Sequence, residues 1–289
     1  MSYNILVPTD FSSTAEKAFL YALDIASKCA GTVFLYHVHT PLESPFIETV
    51  EVRREYNLEN QQSLMNDLHA LRSKWAQKYQ GAKVITVLGR SPLVGSVLKF
   101  TEDHNINLVV MGTQGASGLK KVIIGTIAAR MIEKSTVPLL LVPERFEWRE
   151  PKNVVLATDY DRADIAALKV SAGLAQQYDA FIEVVHLADM FTDREQMQIT
   201  FDKYIAGLKM KFPKLKFAAS LMYVQFITDA LETLHQYMPY DILVMVKHKR
   251  KFLEQIFMKS ATKHMAYLTW KPLLVIPVKE VAAIGEQEL

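Results

Sequence analysis

The 289-residue chain is half apolar and 22% charged, with a formal net charge of +2. Those proportions place it among well-packed globular proteins, and so small a charge gives no general footprint for nucleic acid or an anionic membrane. The longest apolar runs fall far short of the roughly 18 residues that cross a bilayer, no signal-peptide core precedes Asp10, and a lone Cys29 cannot close an intramolecular disulfide. The expectation is a cytoplasmic protein with no membrane partner.

Asn4 to Thr9 holds the apolar run Ile5-Leu6-Val7-Pro8, of the kind that forms a strand buried on both faces, with Asp10 closing it. Ser12 or Ser13 can cap the helix that follows, whose apolar positions Ala15, Ala18, Phe19, Ala22, Leu23 and Ala26 recur at three and four residues, with Gly31 as its stop. A second strand ends near Tyr36, His37 and Val38. Leu93, Val97, Leu98 and Thr101 mark a helix after Ser91-Pro92. Leu108 to Met111 is a further strand, and Ile127, Met131 and Ile132 mark a helix before the strand Pro138 to Pro143.

The pattern then repeats. Asn4-Ile5-Leu6-Val7-Pro8-Thr9-Asp10 recurs as Asn153-Val154-Val155-Leu156-Ala157-Thr158-Asp159, and Tyr36-His37-Val38 as Val185-His186-Leu187, at a spacing of 149. Leu108 to Met111 recurs as Ile242 to Met245, and Pro138 to Pro143 as Pro272 to Pro277, at a spacing of 134. The first copy therefore carries 15 additional residues between Thr40 and Lys83, expected on a surface helix or loop. Strands alternating with helices imply parallel pairing through right-handed crossovers, with five strands and about four helices per copy. The reading is an α/β protein of two tandem, doubly wound, open five-stranded parallel sheets. Residues 1–145 and 150–280 are the units, polar residues from Arg145 to Lys152 the linker, and 281–289 a tail.

The segment Met111-Gly112-Thr113-Gln114-Gly115, continuing to Gly125-Thr126-Ile127, runs from strand through glycine-rich loop to helix start. Glycines let the main chain approach a ligand closely, and amides at a helix start attract phosphate. In doubly wound sheets such ligands lie outside the carboxyl ends of the strands. Asp10 ends the first strand at that same side, where its carboxylate could accept from ribose hydroxyls.

The spacing Gly112-x2-Gly115-x9-Gly125-Thr126 resembles the ATP-binding signature of the universal stress protein family, and Val7-Pro8-Thr9-Asp10-Phe11-Ser12 resembles that family's first strand. The resemblance implies a Rossmann-like fold of the adenine nucleotide alpha hydrolase-like type, in a tandem form. It implies ATP with a divalent ion as ligand, Pro8, Thr9 and Asp10 against adenine and ribose, and Val38 offering main-chain groups to the base. Met111, Gly112, Gly115, Gly125, Thr126 and Ile127 would hold ribose and phosphates. Gln114 and Ala116 stand where relatives often carry His and Arg, and Lys120 and Lys121 offer charge nearby. The loop lacks the Lys-Ser/Thr pair of a Walker A motif, so phosphoryl transfer is not implied. The function expected is nucleotide binding as a regulatory or conformational event in stress response. The alternatives are slow ATP hydrolysis or self-phosphorylation, for which no general base is evident, and a nucleotide-free scaffold.

In the second copy Gly112, Gly115 and Gly125 become Val246, Lys249 and Lys259, and Thr126 becomes Ser260, which puts side chains where the cradle needs space. The basic run from Lys247 to Lys251 occupies that loop. It could recruit an anionic partner, but no aromatic platform accompanies it to suggest nucleic acid. His37 and His39 share a strand face, yet no third residue has metal-ligand spacing, so no metal site is assigned. Cys29 reads as a small core residue. The two final strands, as sheet edges, can pair with each other, imitating the dimer that single-domain members of the family form; further homodimerisation stays open.

Overall fold

The computed structural model describes residues 3–44, 49–113, 125–225, 230–247 and 271–277. Each copy contributes five strands. The first holds β1 (Asn4–Pro8), β2 (Thr32–His39), β3 (Lys83–Arg90), β4 (Leu108–Gly112) and β5 (Leu139–Val142); the second holds β6 (Asn153–Ala157), β7 (Phe181–Asp189), β8 (Ala218–Val224), β9 (Ile242–Lys247) and β10 (Leu273–Pro277). Within each copy all pairings are parallel, and the order is β3-β2-β1-β4-β5 in one and β8-β7-β6-β9-β10 in the other.

The two sheets expected from the sequence are joined into one sheet of ten strands, because β5 and β10 pair antiparallel. Leu140 faces Leu274, its own counterpart at the 134-residue spacing, while Leu139 faces Val275 and Leu141 faces Leu273. A residue can pair with its own repeat only where an approximate twofold axis passes, so the axis relating the copies runs through this seam. All seven strand residues from Leu139 to Leu141 and from Leu273 to Ile276 are buried, and the seam is continuous with the core on both faces.

The helices of the described residues are α1 (Ser13–Cys29), α2 (Val50–Ala76), α3 (Leu93–Asp103), α4 (Thr126–Lys134), α5 (Ala163–Tyr178), α6 (Arg194–Lys211) and α7 (Ala230–Tyr237). Alternate strand residues divide the core between two faces. Ile5, Val7 and Leu140 pack with α1, α2, α5 and α6, whereas Leu6, Val109 and Leu141 pack with α3, α4 and α7. That is the doubly wound arrangement. Among the described residues no helix is long and apolar enough to cross a membrane.

Local chemistry sets the helix ends. Ser12 caps α1 by accepting from the Ala15 amide at 3.2 Å. The helix stops one residue before the expected glycine: Ala30 takes the left-handed conformation, and Gly31 donates to the Ala26 carbonyl at 2.8 Å. Gly31 is still required, since a Cβ there would meet the Tyr3 carbonyl oxygen at 2.7 Å. The additional residues of the first copy lengthen α2 to 27 residues against 18 in α6 and extend the loop before it. Cys29, the last residue of α1, is half-buried, with its thiol against the Ile25 carbonyl at 3.3 Å.

The linker is less polar in its contacts than in its composition. Phe146 is buried, and Trp148 sets its ring edge-on to Tyr21 at 4.2 Å between centroids. Arg149 pairs with Asp241 at 2.6 Å, and Glu150 with Lys28 at 2.8 Å. Tyr178 of the second copy donates to Asp24 of the first at 2.7 Å.

Candidate functional site

Strand β1 leads through α1 to β2 on one side, while β4 lies on its other side. The strand order therefore reverses between β1 and β4, and the carboxyl ends of these strands are where a crevice opens in such a sheet. Their register pairs Ile5 with Leu108 and Leu6 with Val109; continued, it sets Pro8 beside Met111.

Pro8 is buried and faces Tyr36. Thr9, also buried, donates its amide to the Tyr36 carbonyl at 2.9 Å, which keeps the chain in the sheet for one residue more. Asp10 then reaches the surface and accepts from the Ser12 amide at 3.1 Å. Phe11 takes a left-handed φ of 62° and lays its ring against His37, 4.7 Å between centroids. Its amide donates to the Thr9 hydroxyl at 3.1 Å. The His37 Nδ1–H donates to the Thr9 carbonyl at 2.8 Å. The turn carrying Asp10 is thus fixed from both sides. Val38 lies two residues beyond Tyr36 on β2, half-buried at the same end of the sheet.

Across the reversal, Met111 and Gly112 face Leu141 and Val142. Thr113 continues the ladder by donating to the Val142 carbonyl at 3.0 Å. Gly125 donates its amide to the Thr113 carbonyl at 2.7 Å, so the loop between them is pinched at its base. The Thr113 hydroxyl is sealed from solvent and has no hydrogen-bond partner among the described residues. Gly125 is the N-cap of α4 and brings no side chain to accept from the amides that follow. Thr126, the first helical residue, is exposed. Ile127 is 37% exposed, and Ala128, Met131 and Ile132 form the buried stripe of α4 instead. Gly115, Gln114, Ala116, Lys120 and Lys121 lie outside the described residues. So do Lys249, Lys259, Ser260, the basic run beyond Lys247, and the tail.

The second copy rebuilds the same turn. Thr158 donates to the Val185 carbonyl at 2.9 Å, Tyr160 repeats the φ of 62°, and its ring stacks on His186 at 4.1 Å. The His186 Nδ1–H donates to the Thr158 carbonyl at 2.7 Å. What differs is the crevice. Asp164 is buried where the first copy has Ala15, accepting from the Thr158 hydroxyl at 2.5 Å, the Asp161 amide at 3.1 Å and the Tyr204 hydroxyl at 3.2 Å. Asp161 accepts from the helix-start amide of Ala163, at 2.8 Å. The space left beside Thr158, Asp164 and Val246 is about 20 Å³, room for one water molecule.

Burial pushes the His186 pKa down, against the Thr158 carbonyl and Asp159, which raise it. The folded ring therefore resists a proton that the unfolded chain accepts near the ordinary value of 6.5. This contribution to stability is complete above 6.5 and declines as the pH falls below it. Urea melts at neutral and mildly acidic pH are expected to show that loss, and His186→Asn, which can still donate to Thr158, is expected to flatten it. An equal pH slope in the variant would remove His186 as its source. His39, at the same strand end as His37, bonds to the Gly89 carbonyl at 2.8 Å. Among the described residues no three His, Cys, Asp or Glu side chains gather as a metal site.

The family model described as the universal stress protein family matches residues 1–143. A universal stress protein of Synechocystis is 22% identical over 292 residues, covering 94% of this chain and 98% of its own. The chain belongs to the universal stress protein family. Its length and duplicated pattern fit the tandem type. A universal stress protein of Methanocaldococcus jannaschii is 27% identical over 143 residues, 48% of this chain and 80% of the relative. The solved structure of a universal stress protein from Archaeoglobus fulgidus covers 95% of this chain and 96% of its own, with a TM-score of 0.64 at 16% identity, a likeness of fold.

Two features escaped the sequence reading. The left-handed aromatic at Phe11 and Tyr160 stands at the 149-residue spacing and was visible as a repeat, but its positive φ was not. The buried Asp164 was signalled by a carboxyl at a position that is Ala15 in the other copy, inside an apolar stripe.

Proposed function

We propose that the first unit of this universal stress protein binds ATP with a divalent ion, as a regulatory or conformational ligand, and that the second unit does not. The observation that carries the reading is the meeting of two elements at one topological reversal: a rigidly held Asp10 turn after β1, and a glycine-capped helix start after β4. Asp10 would take the ribose hydroxyls, Pro8, Thr9 and Val38 would border the base, and Gly112, Gly125, Thr126 and Ile127, with Gly115, would hold phosphates by main-chain amides. The sealed Thr113 hydroxyl at the base of the loop is a polar group such a ligand can satisfy. In the second unit, Asp164 and Val246 fill the equivalent space.

Binding rather than turnover is the function proposed, since no general base is placed at the phosphate side by the described residues. Native mass spectrometry of protein purified without added nucleotide is expected to show one ATP per chain. Two per chain would overturn the assignment to the first unit, and none, together with no heat on titration at millimolar ATP, would overturn the function. ADP released steadily over hours would replace binding by slow hydrolysis.

A further inference from the structure

The end of α6, the turn after it and the start of β8 form the outer corner of the second copy, since β8 is the last strand of the sheet. From Lys203 to Phe217 the chain carries five lysines and no acidic residue, a concentration of charge that the net value of +2 averages away. Phe201, Ile205 and Leu208 are the buried stripe of α6. Lys209, Lys211, Lys214 and Lys216 are exposed, and among the described residues none of them is in an ion pair. Met210 stands between two of them, 83% exposed, and Phe181, the first residue of β7, is 50% exposed. The fold brings that phenylalanine to the lysines: a groove of about 430 Å³ is bordered by Phe181, Lys209, Phe212, Leu215, Lys216 and Phe217. The turn is held by its main chain, the Phe212 amide donating to the Leu208 carbonyl at 2.9 Å and the Leu215 amide to the Phe212 carbonyl at 3.1 Å.

The same corner of the first copy, where α2 gives way to β3, carries its own counter-charge. Lys74 pairs with Glu16 at 2.7 Å, and the Trp75 ring nitrogen donates to the same carboxylate at 2.8 Å. At the 149-residue spacing Glu16 becomes Ile165 and Thr32 becomes Phe181, so the second copy has lost the acid and gained an exposed ring. Lysines in the last turn of a helix complement its dipole, which accounts for Lys209 and Lys211. It does not account for Lys214 and Lys216 beyond the helix, nor for bare Met210 and Phe181 beside them.

We propose that this corner is a docking surface for an anionic phospholipid bilayer, with the lysines at the headgroups and Met210 and Phe181 entering the interface. Each lysine gains from an anionic leaflet, and apolar side chains gain by leaving water for the acyl boundary. Lysine is a compact point charge that suits a surface of many mobile anions, whereas forked recognition of fixed phosphates or base edges falls to arginine, absent from 203–217. Nucleic acid would also need open ring faces for successive bases, but Phe212 and Phe217 pack against the core. A folded acidic partner would need a hollow matched to Met210, while a bilayer yields to it. The corner lies at the strand starts of the second copy, and the nucleotide crevice at the strand ends of the first, so the inference is independent of ATP binding.

The test is flotation of the full-length chain with vesicles of phosphatidylcholine, alone or with about 30% phosphatidylserine, at ionic strengths of about 0.1 M and about 0.5 M. Binding is expected only where phosphatidylserine is present, falling roughly tenfold or more at the higher salt. Lys211→Gln with Lys214→Gln is expected to weaken it roughly twentyfold, on the order of fivefold for each charge. Met210→Ser, which keeps every charge, is expected to weaken it roughly threefold through lost insertion. All three side chains are exposed, so circular dichroism should stay unchanged. Absence of binding to the phosphatidylserine vesicles, equal binding to phosphatidylcholine alone, or unaltered affinity in the double lysine variant would each overturn the proposal. An effect of the lysines with none from Met210 would reduce the corner to attraction for any anion and overturn it too. Tighter binding of a single-stranded oligonucleotide at the same salt would give the surface to nucleic acid instead.

Discussion

Gly112→Val is expected to abolish measurable ATP binding by the first unit while leaving the sheet intact. The substitution makes the first copy like the second, which carries Val246 at that position. Gly112 sits in β4 opposite Val142, and a β-branched residue suits a strand, so the fold tolerates the change. The proposed ligand, however, depends on main chain brought close at the carboxyl end of β4, and a branched side chain stands in that approach. Affinity is expected to fall a hundredfold or more, about 2.7 kcal/mol, read by titration calorimetry alongside circular dichroism. Unaltered affinity in a folded variant would move the ligand elsewhere.

The largest loss of stability is expected from Asp241→Ala. This buried carboxylate accepts from the amides of Lys152 and Asn153 at 2.8 and 3.0 Å and from Arg149 at 2.6 Å. It therefore ties the linker to the second copy. Removing it leaves two inward-facing amides without their acceptor. Arg149 is 58% exposed and returns to water, which keeps the cost to about 2–4 kcal/mol. Burial pushes the Asp241 pKa up, but the two amides, Arg149 and Lys271 together outweigh it and hold the group below the usual carboxylate value of 3.8. Its contribution is present above 3.8 and is lost as acidification passes the lower folded value. Comparing urea melts of wild type and Asp241→Asn should thus show a gap at neutral pH that narrows as the pH falls below 3.8. A constant gap would mean the carboxylate charge is not its source.

The strands were legible because a sheet covered on both faces demands runs such as Ile5-Leu6-Val7 and Leu139-Leu140-Leu141, and duplication let each run vouch for its twin. The seam was legible as an edge needing cover, since two such edges in one chain find each other before any other partner. Helix ends were less so. Ala30 takes a conformation that favours glycine because the following Gly31 is needed against Tyr3, so the stop signal was displaced by one residue. Ile127 looked like a core residue by spacing, yet a nine-residue helix buries only a narrow stripe, and Ala128 takes the inner position. The linker's charges concealed two aromatic anchors, because composition averages over a segment in which Phe146 and Trp148 alternate with polar neighbours. In the crevice, glycine spacing marked Gly112 and Gly125 as candidates beside the strand end, whereas the hydrogen bonds of Thr9, His37 and Thr113 depend on orientations that no spacing encodes.

The antiparallel join of β5 to β10 places both halves of a symmetric assembly on one polypeptide. Their association then has no concentration dependence: dilution cannot separate them, and neither half can exchange its mate. A self-pairing protomer must keep every copy identical, but here the second half is released from that obligation, and a buried aspartate could replace an alanine in one crevice without altering the other.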